Sequence, residues 1–170
     1  MANKIIEINM SKLTYILILV VAATFTSAAF TLMDVKPVKC LIQLKNYKGE
    51  GAYIVVSLLN PSGKYEETLY VQGKEAKWYK DVKEWWSFYG KKRSNVDAIT
   101  GATVKGGERS VVVIKIPEEK IDKGYQLRFE SAVEDQEYHK DDVLMELTTE
   151  NLSGKLDGKG FIRYVKLLPQ

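Results

Sequence analysis

One cysteine and one histidine in 170 residues exclude much of the chemistry open to an exported domain. Cys40 has no partner for an internal disulfide, and together with His139 it falls short of a metal site built on His and Cys ligands. A Ser/His/Asp or Cys/His hydrolase would have to use His139 as its base, and its neighbours in sequence support no such role. A charge of one sign is also missing. The formal net charge is +3, and it falls to +2 once residues 1–29, with Lys4, Lys12 and Glu7, are set aside. The lysine excess behind the pI of about 8.8 is spread along the chain, so no basic patch argues for nucleic acid.

Residues 13–33, LTYILILVVAATFTSAAFTLM, lack charge altogether. A basic start, an apolar run and the small residues Ser27-Ala28-Ala29 form the pattern of a secretory signal peptide, with cleavage expected after Ala29. The same run is about long enough to cross a ~30 Å hydrocarbon core as an uncleaved anchor over 13–33. Either way the remainder is expected to be periplasmic or otherwise extracytoplasmic, and any membrane association runs through this segment alone. Cys40 is not preceded by the small residues of a lipoprotein processing site. Residues 30–37 read as a short tether and 38–170 as a single domain, long enough for its own core.

Within that domain, short β-rich runs recur between turn residues. They cover 38–44, 52–59, 65–71, 109–116, 125–133, 142–149 and 160–168, with Asn60-Pro61-Ser62-Gly63 as a strong turn signal. Cys40 falls on an alternating run and is expected at a buried strand position. One helix is predicted over 76–90, with Trp78, Val82, Trp85 and Trp86 on one face. The predicted fold is therefore mainly β, an immunoglobulin-like β-sandwich of about seven strands with one short aromatic helix. Residues 130–142, ESAVEDQEYHKDD, read as a solvated acidic loop at a strand end. They lack the central glycine and alternating ligands of a calcium loop.

The stretch NVDAITGATVKGGER, residues 95–109, is almost free of large side chains between Ala98 and Gly107. Gly101 and Gly106 have P-loop spacing, yet Gly107 and Glu108 stand where that loop needs Lys and Ser/Thr. Dinucleotide-fingerprint spacing is absent too, and a β-branched run follows where a helix is required. On composition alone the stretch reads as a glycine-rich hairpin or Ω-loop, with Asp97 capping a turn and Gly106-Gly107 supplying positive φ.

Asp97-Ala98-Ile99-Thr100-Gly101-Ala102-Thr103 resembles the D-x-x-[ST]-G-A-T motif recognised by periplasmic flavin transferases. The order of features over about 38–145, with Trp85-Trp86, then the motif, then the strand at 125–134, is similar to that of the predicted periplasmic family called domain of unknown function 2271. The chain departs from that family's pattern in having Val104-Lys105-Gly106-Gly107 where relatives tend to carry Pro-Gly. The resemblance implies that Thr103 receives FMN through a phosphoester, donated from FAD by a flavin transferase. Thr100, Gly101 and Ala102 would shape the acceptor, Asp97 would shape the loop or contact the transferase, and one of Trp85 and Trp86 would contact the flavin while the other joins the core. The implied function is an exported electron carrier between a membrane-bound redox partner and an extracytoplasmic acceptor, rather than an enzyme with its own small substrate. The alternative is a non-catalytic cell-envelope β-sandwich that binds through its loops.

Overall fold

Alternating apolar and polar residues build two sheets that share one core. The computed structural model describes residues 34–92 and 99–169. The leader or anchor, the cleavage point after Ala29, and Asp97 lie outside those residues. Nine strands follow in order: β1 (Val35–Leu44), β2 (Tyr53–Leu59), β3 (Tyr65–Gln72), β4 (Thr100–Gly101), β5 (Arg109–Pro117), β6 (Gln126–Ala132), β7 (Tyr138–Glu146), β8 (Lys155–Asp157) and β9 (Ile162–Pro169). One sheet has the order β5-β1-β9-β8 and the other β4-β3-β2-β6-β7. The ladder between β3 and β4 is parallel, whereas the remaining ladders are antiparallel. The fold is thus mainly β, two sheets face to face without a closed barrel.

In β1, Val38, Cys40, Ile42 and Leu44 point into the core and Lys39 points out, as a two-residue period demands. They meet Val112, Ile114 and Ile116 of β5 and Val165 and Leu167 of β9 in one cluster. The facing sheet adds Ile54, Val56 and Leu58 from β2, Leu127 and Phe129 from β6, and Val143 and Met145 from β7. Burial pushes the Cys40 thiol up to about 12, so it stays protonated and unreactive. β2 is buried at every position, which explains its unbroken apolar run. Its second face, with Tyr53 and Val55, joins Val71, Tyr79, Val82, Trp85 and Ala132 under the helical segment.

That segment departs from the expected helix over 76–90. Residues Ala76–Asp81 form a 3₁₀ turn, Val82 leaves helical geometry at φ −84° and ψ 75°, and α1 (Lys83–Lys92) begins afresh. With three residues per turn, Tyr79 and Val82 fall on the same side and both are buried. Tyr79 takes the inward place that α-helical spacing assigned to Trp78, and Trp78 is left half-buried at the rim.

Two boundaries also differ. β1 begins at Val35, inside the stretch read as a tether, because Val35 already pairs with Pro117 of β5. β7 starts at Tyr138 rather than 142, because a tight turn with Asp135 at φ 56° brings Tyr138 directly opposite Ala132.

Candidate functional site

Among its described residues, the glycine-threonine stretch forms a two-residue edge strand at Thr100–Gly101 and a bridge at Val104, so Thr103 is pinned on both sides. Thr100 and Gly101 pair with Val71 and Gln72 of β3. The Gly73 N–H donates to the Gly101 carbonyl at 2.6 Å. The buried Gln72 donates its side-chain amide to the Ala102 carbonyl and accepts from Ser110 Oγ at 2.9 Å. Beyond Thr103, Val104 bridges to Ala52, whose N–H donates to the Val104 carbonyl at 2.7 Å. The Tyr47 hydroxyl donates to the same carbonyl at 3.1 Å. Ala102 and Thr103 are the exposed pair between these clamps.

Small residues make this possible. A Cβ on Gly101 would stand 2.0 Å from the Tyr70 hydroxyl, so only glycine lets β4 lie against β3. A Cβ on Gly51 would stand 2.5 Å from Thr103 Oγ1, so glycine there leaves the Thr103 hydroxyl its room. Of the two glycines expected to supply positive φ, Gly107 does so at +79°, while Gly106 is instead required by the close approach of the Tyr47 backbone.

Thr103 lines two adjoining clefts of about 240 and 200 Å³, which share Tyr53, Glu75 and Thr103. Lys77 and Trp78 line the larger and Lys74 and Ala102 the smaller. Lys77 pairs with Glu75 at 2.8 Å, and its ammonium sits 5.1 Å from the Trp78 ring centre. The Lys77 hydrogen bond holds the Glu75 carboxyl below its usual range. Glu50 and Glu134 complete a lining of mixed charge. The two clefts thus gather a reachable hydroxyl, two ammonium groups, three carboxylates and an aromatic rim.

The tryptophans singled out in the sequence fall elsewhere. Trp85 is fully buried, donates its indole N–H to Thr68 Oγ1 at 2.8 Å, and stacks on Tyr89 at 4.5 Å. It therefore offers no ring face to a ligand and takes the core place expected of one tryptophan of the pair. Trp86 is half-buried, tilted against Tyr89 and packed over Gly90, and it does not line the clefts at Thr103. The aromatic residues that do are Tyr53 and Trp78.

The acidic segment at 130–142 is a hairpin with a buried polar network rather than a solvated loop. Glu130 Oε1 takes two bonds from the Arg128 guanidinium, at 2.8 and 3.1 Å. Its Oε2 accepts the Tyr138 hydroxyl at 2.6 Å and the Trp85 N–H at 3.1 Å. The Tyr138 oxygen in turn accepts the Glu84 N–H at 3.0 Å, so β6 and β7 together satisfy the first amides of α1. Burial pushes both the Glu130 carboxyl and the Tyr138 phenol up. Asp142 accepts the N–H groups of Gly160 and Ile162 at 2.6 and 2.9 Å, tying β7 to the start of β9. His139 packs edge-on against Phe161.

Gly51, Tyr53, Gln72, Lys74 and Lys77 escaped the sequence reading, because no spacing links positions some thirty to fifty residues apart. Trp78 alone carried a signal, and α-helical periodicity assigned it to the core. Among the described residues no group of three or more His, Cys, Asp or Glu side chains could hold a metal ion, and no helix is long and apolar enough to cross a membrane.

Comparison with known families matches residues 36–164 to a family described as "Predicted periplasmic protein (DUF2271)". No curated protein and no solved structure matches the chain.

Proposed function

The chain belongs to this DUF2271 family of predicted periplasmic proteins, and from that premise we propose that it is an exported electron-transfer flavoprotein with FMN joined to Thr103. The observation that carries the reading is the presentation of Thr103: an exposed hydroxyl between two backbone clamps, with glycine facing it and lysines beside it.

A flavin transferase installs the group from FAD. The Thr103 Oγ1–phosphorus bond forms as the diphosphate bond breaks, the hydroxyl proton is lost, and AMP leaves. A threonine hydroxyl is a poor nucleophile, so the transferase supplies the activation, and this chain supplies access. Gly101 and Ala102 keep bulk away from the acceptor, and Thr100 and Gly101 hold the segment against β3. Asp97 serves as a loop-shaping or transferase-contacting residue of the same motif. Lys74 and Lys77 line the clefts beside Thr103, with Lys77 paired to Glu75. When bound, FMN supplies the redox chemistry and the protein supplies position and electrostatics. Electrons would enter from a membrane-bound partner and leave to an extracytoplasmic acceptor.

Intact mass tests the proposal. Co-expression with a periplasmic flavin transferase is expected to add the mass of one FMN and turn the protein yellow. Thr103→Ala is expected to abolish both, whereas Thr103→Ser should retain measurable modification because it keeps a hydroxyl. Unmodified wild-type protein under these conditions would overturn the flavoprotein reading and leave a cell-envelope binding module in its place.

A further inference from the structure

The trough beside Thr103 extends beyond the acceptor. The 240 Å³ cleft that holds Thr103 shares Trp78 and Glu134 with a neighbouring cleft of about 320 Å³, whose lining includes Lys83, Gln136 and Tyr138. Trp78 is thus the aromatic residue common to the Thr103 cleft and its extension. It is there because the 3₁₀ turn turns Tyr79 inward instead. Tyr53, the other aromatic at Thr103, is only 8% exposed and presses on Gly73, so it shows little ring surface. Lys77 lies over the Trp78 ring, but its side chain is 66% exposed and held by a solvated pair with Glu75. Such a pair is worth little in water, so a flat ring can displace it.

We infer that Trp78 is the stacking platform for the flavin ring tethered at Thr103, and that the ring lies in the trough between the 3₁₀ turn and the β6–β7 turn. This rests on the reading of Thr103 as the FMN acceptor. Trp78 acts by positioning the ring and quenching its emission, since stacked indoles donate electrons to excited flavins. Trp86, on the same helical segment but outside the trough, serves as the internal control.

The experiment compares flavinylated wild-type, Trp78→Ala, Trp78→Phe and Trp86→Ala proteins by intact mass, flavin fluorescence and midpoint potential. All four are expected to carry one FMN by mass. Trp78→Ala should brighten flavin emission roughly threefold or more and shift the potential, with Trp78→Phe intermediate, because stacking on indole exceeds that on phenyl. Trp86→Ala should match wild type. Denaturing the wild-type protein should release the same quenching, which keeps the test available if Trp78→Ala folds poorly. Normal mass with unchanged emission in both Trp78 variants would overturn the platform and leave the acceptor reading standing. Absence of FMN from wild-type protein would overturn both.

Discussion

Glu130 and Thr103 carry opposite demands at the residue scale. As the proposed FMN acceptor Thr103 must stay reachable, and glycine at position 51 vacates the space next to its hydroxyl. Glu130 is fully buried and anchors Arg128, Tyr138 and the start of α1 through four hydrogen bonds. Replacing it with Ala removes the acceptor of all four bonds and leaves the buried Arg128 unpaired, a loss of about 3–5 kcal/mol. Burial outweighs the opposing pull of Arg128 and raises the Glu130 carboxyl above its ordinary value of 4.5. The folded chain therefore holds this proton more tightly than the unfolded chain. The stability linked to that proton is full below 4.5 and is lost as pH rises through the folded value. Denaturant unfolding of wild type and Glu130→Gln from about pH 4 to about pH 8 should show the wild-type margin shrinking as pH rises. A margin that grows with pH would mean that Arg128 dominates the site instead.

At the scale of elements, β4 is two residues long and owes its place to its neighbours. Its parallel pairing with β3 is reinforced by Gln72, which joins the Ala102 carbonyl to Ser110 at the start of β5. Gln72→Ala removes both bonds and leaves part-buried groups unpaired, so stability should fall by about 1–3 kcal/mol. The acceptor segment should loosen as well, and the rate of FMN transfer to Thr103, followed by mass against time, should drop with it. A variant that loses stability but is modified at the wild-type rate would show that the clamp serves the fold alone. Much of this level was legible in advance. Seven of the nine strands correspond to alternating or apolar runs in the sequence. The two short ones were not, because two or three residues carry no period, and their pairing is set by distant partners. The broken helix was missed for a related reason. Spacings of four and seven fit Trp78, Val82 and Trp85, but the Glu130–Tyr138 cap starts α1 at Lys83 and forces a tighter turn before it.

Among the described residues the larger apolar cluster draws on both sheets, and Asp142 of β7 binds the chain at the start of β9 across from it. The inner faces of the two sheets are buried against each other, and the outer face of the β2 sheet is buried under the helical segment. Unfolding of the exported domain should accordingly be a single transition, coincident by far-UV and near-UV circular dichroism. Separate transitions for the aromatic signal and the strand signal would show that the layer of Tyr79, Trp85 and α1 melts independently of the sandwich.

The sequence by itself determined the β class, the burial of Cys40, the poverty of nucleophile–base pairs, and the motif that ends at Thr103, because each is a matter of local period or of residue type. Tertiary structure alone decided what surrounds that threonine. It set Thr100 and Gly101 in an edge strand, drew Gly51, Tyr53 and Trp78 to the side of Thr103, and buried Trp85. The physical reason is that clamps, clefts and ring faces arise where distant segments meet, and a linear pattern of side chains records only the face each residue prefers.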